Sequence, residues 1–126
     1  MYRILVCDDE KDIVSALKIY LMADGYQVFE AYNGREALEI LKNEDIHLVL
    51  MDIMMPEMDG IATARKIRER VGEDVTIIIL TSFDFSEIEE EARAAGVNAF
   101  MSKPLFRSRL TATLRQFTSG KKEKNA

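Results

Sequence analysis

Five short strand-like runs recur along the chain, the mainly apolar Arg3–Cys7, His47–Met51, Val75–Leu80 and Ala99–Ser102 and the alternating Gln27–Ala31, and each is followed by a stretch of helical spacing. This alternation constrains the fold more than any other feature. Ile13, Leu17 and Tyr20/Leu21 recur at helical intervals after the first run, with Gly25 as a stop. Asn33-Gly34 reads as a turn, and Ala37, Leu38 and Leu41 mark a second helix. The run His47–Met51 is almost unbroken, as expected of a strand covered on both faces. Pro56 and Met58-Asp59-Gly60 break the chain before Ile61, Ala64, Ile67 and Val71 form a third stripe. The run Val75–Leu80 is mostly β-branched and ends at Thr81-Ser82. Ser86 and Glu89 have the spacing of a capping box, which predicts a helix to Ala95 stopped by Gly96, with Ile88, Ala92 and Ala95 inward. Leu110, Leu114 and Phe117 stripe the last helix. Strand and helix repeated in this way predict an α/β domain, a parallel sheet with helices on both faces. Periodicity leaves the strand order open.

At 126 residues, 48% of them hydrophobic, the chain suits one domain with a core of useful size. Its net charge is −5. Three lysines against one glutamate in the last six residues leave −7 on residues 1–120, a body with no general attraction for nucleic acid. Residues 1–118 are expected to form the domain and 119–126 a flexible basic tail. No apolar run approaches the roughly 20 residues of a membrane helix. Met1–Val6 enters a strand pattern without the features of a secretory signal, so a cytoplasmic location is expected. Cys7 is the one cysteine, which rules out an internal disulfide and a cysteine zinc site.

In an open parallel sheet, ligands bind beyond the carboxyl ends of the strands. Those ends carry Asp8-Asp9-Glu10, Asp52, Thr81-Ser82 and Lys103. Each group alone has an ordinary reading: helix-terminal charge, a cap, a turn, a surface lysine. Together they offer carboxylates, a hydroxyl and an ammonium, with no histidine and no glycine-rich loop. Converging carboxylates repel one another, and a hard cation relieves them; oxygen-only donors suit Mg²⁺. Such a set has the parts for phosphoryl transfer to a carboxylate, and Asp52, at the middle strand's end, is best placed as nucleophile. His47 and Cys7 read as structural, and Met51, Met54, Met55 and Met58 as packing.

At these residues the sequence resembles the receiver domains of two-component response regulators. The match runs from about Arg3 to Phe117 through Ile4–Glu10, Leu50–Gly60, Leu80–Ser82 and Ala99–Pro104. The resemblance implies a flavodoxin-like, doubly wound (βα)5 fold with strand order 2-1-3-4-5. It implies that Asp52 is the phosphoacceptor, that Asp9, Asp52 and the Met54 carbonyl hold Mg²⁺, and that Asp8 acts through water. Thr81 and Lys103 would contact the phosphoryl group, Thr81 and Phe100 would form the switch, and Lys103-Pro104 would be a cis bond. The donor would be a phosphohistidine on a sensor histidine kinase or a histidine phosphotransfer domain. The surface of the fourth helix, fifth strand and fifth helix would change with phosphorylation. Met54 and Phe83 stand where some family members carry polar groups that align the attacking water, so slow autodephosphorylation is expected.

The segment after Phe117 is too short for a DNA-binding output domain. A stand-alone receiver, or one belonging to a hybrid sensor kinase, is expected. Glu87, Glu89, Glu90 and Glu91 read as a solvated face or as an acidic partner surface. A haloacid-dehalogenase-like phosphatase needs a second acid two residues after its nucleophile, and Met54 occupies that place. A flavin carrier needs a phosphate loop where Asp8-Asp9-Glu10 would repel an anion. A phosphorylation-independent adapter is the remaining alternative, disfavoured because every reactive position is filled.

Overall fold

The computed structural model describes residues 2–53, 59–72, 74–81, 86, 88–102 and 107–124, with side chains in the last helix through Thr118. Its elements are β1 (Arg3–Cys7), α1 (Lys11–Ala23), β2 (Gln27–Ala31), α2 (Gly34–Asn43), β3 (Leu48–Asp52), α3 (Gly60–Val71), β4 (Thr76–Thr81), α4 (Glu89–Ala94), β5 (Ala99–Ser102) and α5 (Arg107–Lys124). All four strand pairings are parallel, in the order β2-β1-β3-β4-β5. This is the flavodoxin-like (βα)5 fold expected from the resemblance.

Alternation along the strands divides the core in two. Leu5, Cys7, Val49, Met51, Ile77 and Ile79 face α2, α3 and α4. Ile4, Val6, Leu48, Leu50, Ile78 and Leu80 face α1 and α5 through Val14, Leu17, Leu21, Leu110 and Leu114. Both sets are buried throughout β3 and β4, which is why those runs read as continuously apolar. No helix among the described residues is long and apolar enough to cross a membrane.

Local chemistry differs from the sequence reading in three places. Asn33-Gly34 is a helix start and not a free turn: the Asn33 side chain accepts from the Glu36 N–H at 2.9 Å, and the Glu36 carboxylate accepts from the Tyr32 N–H at 2.8 Å. Asp59 likewise caps α3, accepting from the Ala62 N–H at 2.8 Å. In α4 the regular helix starts later than expected, three residues after Ser86. It begins at Glu89 with Ile88 in the cap position, where an apolar side chain makes no cap bond. The inward stripe is as expected, with Ala92 and Ala95 buried and Ile88 packed against them. Gly96 follows the helix at φ +99°, a conformation glycine adopts without steric cost. The helical backbone of α5 continues to Lys124, past residue 118.

Candidate phosphoacceptor and metal site

The parallel register assembles the acids. Cys7 pairs with Met51, so one further step along each strand sets Asp8 beside Asp52. Both belong by alternation to the α1/α5 side, and Asp9 follows Asp8 out of the sheet. One carboxylate oxygen from each of Asp8, Asp9 and Asp52 lies within 4.8 Å of the others. Asp8 and Asp52 are buried and Asp9 is exposed, which leaves the cluster one open side.

Backbone bonds fix this end of the sheet. The Asp8 N–H donates to the Ala31 carbonyl at 3.1 Å, and its side chain accepts from the Glu10 N–H at 3.0 Å. The Glu10 carbonyl in turn receives the Ile13 and Val14 N–H groups that start α1. Beyond β3, the Ile53 N–H bonds the Leu80 carbonyl, and the Gly60 N–H bonds the Ile53 carbonyl at 3.0 Å. The start of α3 therefore lies directly against the strand end. A Cβ on Gly60 would stand 2.7 Å from the Asp52 carbonyl oxygen and 3.0 Å from the Ile53 Cα, so only glycine fits without a backbone shift.

Unit charges about 4–5 Å apart repel by about 3–4 kcal/mol at an effective dielectric near 20. Three carboxylates at this spacing form an oxygen-only donor set that fits a hard divalent cation. Thr81 is fully buried at the end of β4, in register with Ser102, which places its hydroxyl-bearing residue on the same edge of the sheet. The Cys7 thiol does not compete as a nucleophile. Burial first, then the charges of Asp8, Glu36, Asp52 and Asp9, push it up to about 12.

The structure thus brings together Asp8, Asp9 and Asp52, and sets Thr81 at the adjoining strand end. Phe100 is half-buried on β5 against the α2–α3–α4 side of the core. Met54, Phe83, Lys103 and Pro104 lie outside the described residues. His47 and Cys7 are structural, as expected. The Arg3 N–H donates to His47 Nδ1 at 2.9 Å, and the Cys7 thiol donates to the Asn33 carbonyl at 3.3 Å. Sequence reasoning missed Gly60, whose partner is a backbone atom, and Arg68, which binds mostly carbonyls.

Fold and acid cluster together define a parallel α/β domain with a cation-ready carboxylate site. The family profile of the response regulator receiver domain matches residues 4–115. The chain belongs to that family. It is 37% identical over 121 residues to the uncharacterized transcriptional regulatory protein YrkP of Bacillus subtilis, covering 93% of this chain and 51% of that protein. It is 35% identical to the regulatory protein VanR of Enterococcus faecium, covering 98% of this chain and 55% of VanR. The chain thus spans about half the length of the curated relatives it matches. The chemotaxis protein CheY4 of Vibrio cholerae superposes with a TM-score of 0.90 at 28% identity, over 93% of this chain and 98% of CheY4. The receiver domain of a signal transduction histidine kinase from Syntrophus aciditrophicus gives 0.85 at 29% identity, over 95% and 92%. The chain is a receiver domain of the two-component type, and the phosphatase alternative is not favoured.

Proposed function

We propose that Asp52 accepts a phosphoryl group from a phosphohistidine on a sensor histidine kinase or a histidine phosphotransfer domain, in the cytoplasm. The gathering of Asp8, Asp9 and Asp52 within 4.8 Å is the observation that carries this reading. A carboxylate oxygen of Asp52 attacks phosphorus, the nitrogen–phosphorus bond breaks, and the imidazole leaves with the electron pair. The product is an acyl phosphate on Asp52. Asp9, Asp52 and the Met54 carbonyl would hold Mg²⁺, with Asp8 acting through water. Bound there, Mg²⁺ offsets the charge on the phosphoryl oxygens. The Thr81 hydroxyl donates to a phosphoryl oxygen, and Lys103 pairs with another. Thr81 and Phe100 then pass the change to the surface of α4, β5 and α5.

The protein acts as a substrate and switch, and not as a conventional enzyme. This domain acts through protein contacts, with no direct role of its own for nucleic acid or membrane. Met54 and Phe83 leave the attacking water poorly aligned, so the phosphorylated form is long-lived. Met54→Asn with Phe83→Glu should shorten that lifetime about tenfold, equivalent to about 1.4 kcal/mol of barrier. An unchanged lifetime would remove this explanation.

The test is incubation with acetyl phosphate and Mg²⁺, read by intact mass. One added phosphoryl group is expected on the wild-type protein and none on Asp52→Asn. Equal labelling of both would refute the assignment.

A further inference from the structure

On α4, the Arg93 guanidinium lies over the Phe100 ring, 5.7 Å from its centroid. Its Nε donates to the Glu89 carboxylate, one helical turn earlier, at 2.9 Å. The two charged side chains are 53% and 42% exposed, and a pair this open adds little to stability. What the pair does is aim. Glu89 holds one edge of the guanidinium, which leaves the planar face for the ring.

The ring under that cation lies near Thr81, the residue proposed to meet the phosphoryl group. Phe100 pairs with Ile79 in the β4–β5 register, and Thr81 lies two residues beyond Ile79 on the same face of β4. Phe100 is therefore a diagonal neighbour of Thr81 on the α2–α3–α4 side of the sheet. A phenyl ring has no hydroxyl with which to anchor either of its ends. A cation supplied from α4 gives it a polar contact.

We infer that Arg93 is a positioning residue that couples Phe100 to α4, with Glu89 orienting it. A displacement of the Phe100 ring changes the contact with Arg93, and α4 responds through that contact. The inference rests on the phosphoacceptor reading of Asp52, and extends it to the way a change at the site reaches the helix surface.

Amide exchange across Ala92–Val97 tests it, measured before and after acetyl phosphate with Mg²⁺, with intact mass taken on the same samples. In the wild type, phosphorylation should alter protection in this segment. Arg93→Met keeps an unbranched stem that can still pack on the ring and removes the cation. It should be phosphorylated to the same extent and lose the α4 response. Arg93→Lys, which keeps a cation, should retain it, and Glu89→Gln should weaken it. An α4 response in Arg93→Met as large as in the wild type would overturn the inference. So would a phosphorylated wild type whose α4 exchange does not change, or loss of the response in Arg93→Lys as complete as in Arg93→Met. In those cases the phosphoacceptor reading stands. A wild type that gains no phosphoryl group would instead end that reading, and this inference with it.

Discussion

At the amino ends of β4 and β5, the Arg68 guanidinium meets an acceptor in every donor direction. Its Nε and Nη2 bond the Gly96 carbonyl at 3.1 and 2.8 Å, its Nη1 bonds the carbonyls of Gly72 and Val75 at 2.8 and 2.6 Å, and Nη2 also bonds Asn98 Oδ1 at 2.8 Å. Asn98 Oδ1 also accepts from the Ile77 N–H at 2.8 Å. Nearby, His47 stacks on Tyr2 with centroids 4.6 Å apart. At the carboxyl ends of β1 and β3, by contrast, three acids crowd within 4.8 Å. The first end joins donors to acceptors and stabilises the fold. The second gathers like charges at one place. The guanidinium at the first end is matched to acceptors donor by donor, and the acids at the second share one sign and lie within reach of one cation.

If that contrast holds, changes at the amino end should cost stability and leave ion binding alone. Arg68→Ala should have the largest effect, about 3 kcal/mol in urea denaturation, because it strands several carbonyls at once. Arg68→Lys should recover less than half of that loss, since an ammonium cannot span the same acceptors. Mg²⁺ affinity should be unaltered in both.

Gly60→Ala sits at the other end and should mix the two effects. Its Cβ would press on the Asp52 carbonyl, and we expect a loss of about 1–3 kcal/mol by denaturation. Mg²⁺ affinity should fall with it, because the strand end that carries Asp52 must shift. Loss of stability with full affinity would show that the strand end tolerates displacement.

Mg²⁺ at about tenfold over its dissociation constant should stabilise the wild type by about 1.4 kcal/mol, seen as a raised melting temperature. Asp9→Asn should raise the melting temperature of the metal-free protein and lower Mg²⁺ affinity. A melting curve indifferent to Mg²⁺ would erase the distinction between the two ends.

The smallest effect belongs to Glu30 at the α1–β2 edge. Hydrogen bonds from Lys18 and Tyr32 hold its carboxyl below the ordinary range. A depressed folded value gives stability that is present above the ordinary carboxylate range. That stability is lost as pH falls through the lowered value. Glu30→Gln should therefore lower stability slightly at pH 7, with the difference from wild type vanishing in acid. A constant difference would point to packing instead of charge.

These two ends were unequally legible in the sequence. The strand patterns read at Arg3–Cys7, Gln27–Ala31 and Ala99–Ser102 match the bounds of β1, β2 and β5. The other two start and end one residue later than the sequence runs, at Leu48–Asp52 and Thr76–Thr81, and their pairing continues through the polar residues Asp52 and Thr81. The acids could be found because a parallel sheet tells where strand ends converge. Asp8 was expected to be an accessory group, and burial makes it an inner wall of the cluster. Arg68 showed only as another charge on a helix. Its partners are mostly backbone carbonyls, which every residue has, so nothing in the sequence marked them. The caps at Asn33 and Asp59 were read as turns because the same residue types serve both uses.

The most direct measurement is anomalous diffraction from crystals soaked in Mn²⁺, a stand-in for Mg²⁺. One strong peak is expected at coordination distance from the carboxylates of Asp9 and Asp52, on the exposed side of Asp8. Those side chains turned away from one another, with no ion between them, would contradict it.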